Sequence, residues 1–352
     1  MFYHCGLTVG GVLLERKLSA AVIGAGAIGG ITAAFLTQSG ADVELVCKHG
    51  ETADRINAEG LLVKGVRGEH RVRVKSVAAI EELSGPKDVV LFAVKAYDLP
   101  DAARRALPFL KPDSLAVSLQ NGICTDALAE IVGKERTVGC VVGFGATMLD
   151  TAVLEMTSEG KFVIGTIAGD AKHRPEGLKE LLRPVVPVRI SGDIQSELYS
   201  KMIVNSCITS MGAMSGLTLG EMMKIKKARD IFLAIIREAV EVANALGLRL
   251  PPYGGRLDYY KLVSGKAPFK SHLVIRIVGV KYRRLKSSSL QSLQRGKPTE
   301  IDYFNGYIAQ KGVALNIPTP INSAVTGIVK EIEAGRRKIT PENFEEKAFM
   351  NA

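Results

Sequence analysis

The chain runs through apolar residues 20–23 straight into Gly24-Ala25-Gly26-Ala27-Ile28-Gly29, after which apolar residues recur at helical spacing as far as Gln38. That order commits it to a strand, a tight glycine turn and a helix. Gly24 permits the turn, Gly26 leaves room for a pyrophosphate where a Cβ would stand, and Gly29 lets the helix pack closely on the strand. The helix N-terminus then offers N–H groups and a positive dipole end to the anion. A glycine pattern alone also fits a flexible turn, so the context decides. The helical pattern stops at Ser39-Gly40, with glycine past the helix end, and a second strand follows at residues 43–46. This is a complete βαβ beginning, and the turn Gly24, Ala25, Gly26, Ala27, Ile28 and Gly29 is assigned to a dinucleotide.

A site preferring NAD carries an acid at the end of that second strand, on the ribose 2′-OH. Here the strand ends in Cys47-Lys48-His49. A cation suits a 2′-phosphate, so Lys48 predicts NADP(H) as the cofactor; the alternative is a solvated loop lysine.

A length of 352 residues exceeds what one core usually supports, which points to two domains. Hydrophobic content of 47% against 23% charge is that of an ordinary globular protein. No stretch is both long enough and free enough of glycine to read as a membrane span. Residues 20–36 behind Glu15-Arg16-Lys17 have the outline of a signal peptide, but the glycine spacing and the following strand explain them better, and a cytoplasmic location is expected. The five cysteines (Cys5, Cys47, Cys124, Cys140, Cys207) and five histidines are scattered without ligand spacing, so neither a disulfide framework nor a metal site is indicated. The net charge of +10 favours anionic ligands. The basic run at 276–286 lacks a nucleic-acid motif and is read as a solvated helix face, so neither nucleic acid nor membrane is expected as a partner. The sequence is compatible with a homodimer.

Residues 1–17 read as an extension, 18–192 as an α/β nucleotide-binding domain, 193–338 as a helical domain and 339–352 as a tail. In the first domain, apolar runs at 61–63, 72–74, 88–94, 115–119 and 137–142 alternate with helical stretches, as in a parallel sheet covered on both faces. Residues 153–156 and 162–165 look like an antiparallel pair, and 187–190 like a last strand. The expected fold class is therefore an N-terminal Rossmann-type doubly wound sheet followed by an all-helical C-terminal domain. In the latter, helices are expected over 194–214, 225–246, 301–312 and 320–335, the last with Thr319 as N-cap and Pro320 at its first position. Such an arrangement implies a ligand cleft outside the carboxyl ends of the strands.

Lys95 and Asn121 end two of the strand-like runs, where cofactor contacts are made; an ordinary loop position is the alternative for each. In the helix at 194–214, Glu197, Lys201, Asn205 and Thr209 recur every four residues on an otherwise apolar surface. A lone buried ammonium is costly, so that stripe faces water, a partner or a pocket, and a Glu197–Lys201 ion pair on a solvent face would satisfy the pattern equally well. Pro298, Glu300 and Asp302 read as a helix N-terminus, where two acids complement the dipole.

Taken in order, the glycine turn, Val94-Lys95-Ala96, Gln120-Asn121-Gly122, Lys201-x-x-x-Asn205, Ser288-Ser289-Leu290-Gln291 and Thr299-Glu300-Ile301-Asp302-x-x-Asn305-Gly306 resemble the ketopantoate reductase (2-dehydropantoate 2-reductase) family over residues 19–335. The resemblance implies NADPH-dependent reduction of ketopantoate to pantoate, in pantothenate biosynthesis. It makes Lys201 the general acid and has Glu300 hydrogen-bond the substrate hydroxyl. Asn121 and Asn205 would bind substrate, and Ser288 would hold its carboxylate. Lys48 matches a basic residue on the 2′-phosphate, and Lys95 and Asn121 lie near the cofactor. Three positions depart from the family pattern. Thr209 stands where a second asparagine is frequent, and is kept as a substrate-binding candidate. Ser289 replaces a methionine and Ser292 an aspartate. These changes sit around the substrate, so a reductase of another 2-oxo acid is the nearest alternative. A non-catalytic NADP(H) sensor is a rival of another class, but it would need no proton donor, and both Lys201 and Glu300 are present.

Overall fold

The computed structural model describes residues 18–168, 175–265 and 268–350; the extension at 1–17 lies outside the described residues. Among the described residues twelve strands follow in chain order: β1 (Ser19–Ile23), β2 (Asp42–Val46), β3 (Leu61–Gly65), β4 (His70–Val72), β5 (Lys75–Val77), β6 (Lys87–Phe92), β7 (Leu110–Ser118), β8 (Thr137–Val142), β9 (Gly145–Asp150), β10 (Val153–Ser158), β11 (Phe162–Thr166) and β12 (Val188–Ile190). The near-continuous apolar strands pair with one another. Eight form one sheet in the order β12-β11-β8-β7-β6-β1-β2-β5, parallel except where β11 meets β8. The run β5-β2-β1-β6-β7-β8 is the order of a doubly wound nucleotide-binding sheet.

A second sheet, β4-β3-β10-β9, changes two readings of the sequence. The run at 72–74 is not one strand. β4 ends at Val72 in the small sheet and β5 begins at Lys75 in the large one, so the chain crosses between sheets there. The expected antiparallel pairing of 153–156 with 162–165 does not form either. β10 pairs with β9 and β3, whereas β11 pairs with β8 and β12. The true hairpin partner of β10 is β9, across Thr151-Ala152, where Ala152 adopts φ 63°. The helix Ala27–Gln38 packs against strands of both sheets. That explains why Gly29 to Leu36 are all buried rather than one stripe of them.

By its contacts the chain divides into two units, residues 1–120 with 125–192, and residues 193–352 with 121–124. The second unit is helical. Its longest helix, Ile194–Ser215, starts at Asp193, whose carboxylate accepts from the Ser196 N–H at 3.0 Å, and ends at Gly216 with φ 75°. The single helix expected over 301–312 is broken. A 3₁₀ turn, Ile301–Tyr303, ends at Phe304 (φ −117°, ψ −101°), and a new helix runs over Asn305–Ala314; buried Phe304 and Asn305 draw the chain inward at the break. The helix Pro320–Glu333 has its proline at the first position, but Thr319 makes no capping bond. Glu238, from the helix Lys226–Ala245, accepts from the Ile321 and Asn322 N–H groups instead, at 2.8 and 2.9 Å. The expected tail is docked: Phe344 and Phe349 are buried, and the Asn343 amide donates to the Met214 carbonyl at 2.9 Å. Among the described residues, no helix is long and apolar enough to cross a membrane, and the four described cysteines are free and buried.

Candidate active site

The three glycines of the first turn meet three different surroundings. Gly24 has φ 114°, and a Cβ there would come within 2.8 Å of Ala93 backbone; a Cβ on Gly29 would stand 2.0 Å from the Gly24 carbonyl oxygen. A Cβ on Gly26 would meet nothing within 4 Å. The first two are thus required by the fold, and the third opens onto space. Gly24 to Ile28 are all half-buried. No side chain caps the helix at Gly26, and its first turn holds no acid. These features fit a dinucleotide pyrophosphate, which would lie over Gly26 against the helix N-terminus.

Register places two more of the predicted cofactor residues on the same edge. Ile23 pairs with Val46 and Phe92, and Phe92 with Ser118, so β2, β1, β6 and β7 end level with one another. Lys48 and Lys95 follow β2 and β6 on that edge. The Lys48 side chain is 77% exposed and stands 3.9 Å from an Asp98 carboxylate oxygen, a loose pair on the surface. Lys95 is exposed and precedes a 3₁₀ turn at Ala96–Asp98. Gln120 joins two strand ends, accepting from the Ser118 hydroxyl at 2.6 Å and donating to the Val94 carbonyl at 3.2 Å. Gln120 is a site residue beyond those expected from sequence, and its signal there is a polar side chain between an apolar strand and Asn121-Gly122.

Within the second unit, the helix Ile194–Ser215 carries the predicted stripe. From Leu198 to Ser215, only Lys201, Asn205 and Ile208 are partly accessible, and Glu197 precedes them one turn earlier. The pattern therefore marks one half-open face of an otherwise buried helix. Asn205 Nδ2 is buried and has no hydrogen-bond partner among the described residues. Thr209, at the end of the stripe, is 6% exposed.

Two glycine contacts bring further candidates to this unit. A Cβ on Gly122, which has φ 84°, would meet the Tyr303 carbonyl oxygen at 2.5 Å, so the short loop carrying Asn121 packs on the turn that follows Glu300. A Cβ on Gly212 would stand 2.6 Å from the Ser287 Cβ. Ser287 caps the helix Ser288–Gln294 by accepting from the Leu290 N–H, and this close approach seats that helix on Ile194–Ser215. Ser288, its first residue, is exposed. Glu300 is buried at 7% exposure and leads into the 3₁₀ turn without capping it, so it is not simply an acid at a helix start. Asp302 instead pairs with Lys330 at 2.5 Å. Sequence reasoning missed a buried polar chain, Ser210–Asn305–Asn322–Glu238, whose members come from four helices. Among the described residues, no group of three or more His, Cys, Asp or Glu could hold a metal ion.

Comparison with known proteins places this arrangement. A protein called 2-dehydropantoate 2-reductase from Mesorhizobium japonicum is 28% identical over 339 residues, covering 90% of this chain and 98% of its own. The crystal structure of a PanE/ApbA family ketopantoate reductase from Ralstonia eutropha JMP134 matches with a TM-score of 0.78 at 27% identity, covering 91% of this chain and all of that one. A D-mandelate dehydrogenase described with NADH and anilino(oxo)acetate shares the fold with a TM-score of 0.79 at 21% identity, covering 91% of this chain and 99% of its own. The family description "Ketopantoate reductase PanE/ApbA" matches residues 20–169, and "Ketopantoate reductase PanE/ApbA C terminal" matches residues 193–333. With the glycine turn in the first matched region and the Lys201–Asn205 stripe and Glu300 in the second, the chain belongs to the ketopantoate reductase family.

Proposed function

We propose that this member of the family is an NADPH-dependent reductase that converts ketopantoate (2-dehydropantoate) to pantoate. The observation that carries the reading is the half-open stripe of Lys201 and Asn205 on a helix that is otherwise buried, with a donor on Asn205 that nothing among the described residues satisfies. A buried donor left unpaired costs about 1–3 kcal/mol, a cost that a bound acceptor removes. A 2-oxo acid brings such acceptors in its ketone and carboxylate oxygens.

When bound, NADPH supplies the hydride that the ketone carbon receives. The chain's own residues handle the oxygen and the proton. The Lys201 ammonium hydrogen-bonds the ketone oxygen, stabilises the negative charge that grows there and gives it a proton. Asn205 and Asn121 orient the substrate, Ser288 holds its carboxylate, and Glu300 accepts from its hydroxyl. Ala25, Ala27 and Ile28 present their backbone to the dinucleotide between the glycines, Lys95 lies near it, and Lys48 pairs with the 2′-phosphate. A loose surface pair with Asp98 leaves that exposed ammonium available for a stronger anion.

A second reading rests on Thr209 and Ser289. Both are buried and are smaller than the asparagine and methionine that the resemblance leads one to expect, which favours a 2-oxo acid bulkier than ketopantoate. Parallel kcat/KM measurements with ketopantoate and bulkier 2-oxo acids, each with NADPH and NADH, separate the two. The first reading expects ketopantoate with NADPH to be turned over best. A preference for NADH, or NADPH binding without consumption by any acid, contradicts it.

A further inference from the structure

Asn305 has no exposed surface, and its side chain is bonded at both ends. Its Oδ1 accepts from the Ser210 hydroxyl at 2.5 Å, and its Nδ2 donates to Asn322 Oδ1 at 3.0 Å. The Asn322 amide donates in turn to Glu238 Oε2 at 2.7 Å, and the same carboxylate accepts from the Ile321 and Asn322 N–H groups. Ser210, Asn305 and Asn322 are fully buried and Glu238 is 8% exposed. Every donor in the chain points toward Glu238, whose two carboxyl oxygens already accept from three N–H groups. The order therefore cannot be reversed by turning one amide: rotating Asn322 would set its oxygen against the carboxylate.

The first two members of this chain lie where the reaction would be staged. Ser210 belongs to the helix that bears Lys201 and Asn205, and Asn305 begins the helix that directly follows the Glu300 turn. The geometry points to Asn305 and Glu238 as positioning residues that fix the Glu300 segment against the Lys201 helix, an inference that rests on the reductase reading. Neither touches substrate. The same turn seats the Asn121 loop through Gly122 and Tyr303, so a shift of the segment would displace two substrate contacts at once.

The test is Asn305→Asp, an isosteric change that places an acceptor opposite the Asn322 oxygen. The positioning role predicts a fall in kcat/KM for the 2-oxo acid of about a hundredfold, with the NADPH Kd within about twofold of wild type. Hydrogen exchange should quicken at amides 300–304 while the helix Lys226–Ala245 keeps its protection. Should Asn305→Asp fail to fold, Ser210→Ala removes only the outermost link and carries the same readouts. Turnover within about threefold of wild type alongside a lowered Tm would overturn the inference, because the network would then serve stability alone. A wild-type protein that reduces no 2-oxo acid contradicts the reductase reading instead. In that case unchanged exchange at 300–304 in the variant still overturns the positioning role.

Discussion

Asn205 carries a buried amide nitrogen without a partner among the described residues, and a fold left to stability alone would not keep it. Asn205→Ala should therefore leave Tm unchanged or raise it, while KM for the 2-oxo acid rises about tenfold, the loss of roughly one hydrogen bond to a charged group. Thermal melts and steady-state kinetics check this together; a lower Tm with an unchanged KM would make Asn205 structural. Much of the candidate site stands out in the sequence at this scale because its residues answer to local rules. Lys201 and Asn205 stand out by their four-residue spacing on an apolar helix, and Lys48 by its place at a strand end. Glu238 does not stand out. It lies between Arg237 and Ala239 in a mixed helix, and what buries it is a pair of N–H groups more than eighty residues away.

At the scale of single elements, the glycine turn separates what the fold needs from what a ligand needs. Gly29→Ala would drive a Cβ to 2.0 Å from the Gly24 carbonyl oxygen, and overpacking of that kind costs about 1–3 kcal/mol or more. Gly26→Ala meets nothing within 4 Å at an ordinary φ of −72° and should leave Tm nearly unchanged. Yet its methyl group would occupy the space assigned to the pyrophosphate, so NADPH affinity should fall about tenfold or more, a change of roughly 1.4 kcal/mol. Melting and nucleotide titration of the two variants check the contrast, and equal behaviour would contradict it. The first βαβ unit is readable from sequence because turn, helix and strand lie within thirty residues of one another. The sheet membership of β10 and β11 is not, since both are short apolar strands and the choice between them depends on partners far along the chain. The same holds for the break at Phe304, which is held by contacts of Asn305 with Ser210 and Asn322 rather than by any local helix-stopping residue.

For the molecule as a whole, one buried charge cluster links the strands of the first unit to pH. Glu44 on β2 is 1% exposed. Burial works against its charge, but hydrogen bonds from Lys75, Lys87 and Ser84 outweigh it and hold the carboxyl at about 2, below the usual 4.5. A depressed carboxyl stabilises the fold above its unfolded pKa. That contribution, about 3 kcal/mol, is complete above pH 4.5 and is lost as pH falls toward 2. Urea unfolding at pH 7, 4.5 and 3 should show it. Glu44→Gln should abolish that share of the pH dependence and lower stability at pH 7 by about 3–5 kcal/mol, because Lys87 would be left buried without its partner. An unchanged pH dependence in the variant would contradict this. Family membership and these structural roles leave one claim at the centre, that Lys201 protonates the oxygen of a 2-oxo acid reduced by NADPH. The most direct measurement is NADPH oxidation with ketopantoate, with pantoate quantified, for the wild type and for Lys201→Ala. The wild type should form one pantoate per NADPH consumed, and Lys201→Ala should show a kcat lower by about 10²–10⁴-fold with its NADPH Kd retained. Wild-type turnover preserved in Lys201→Ala, or NADPH consumed without pantoate, would contradict it.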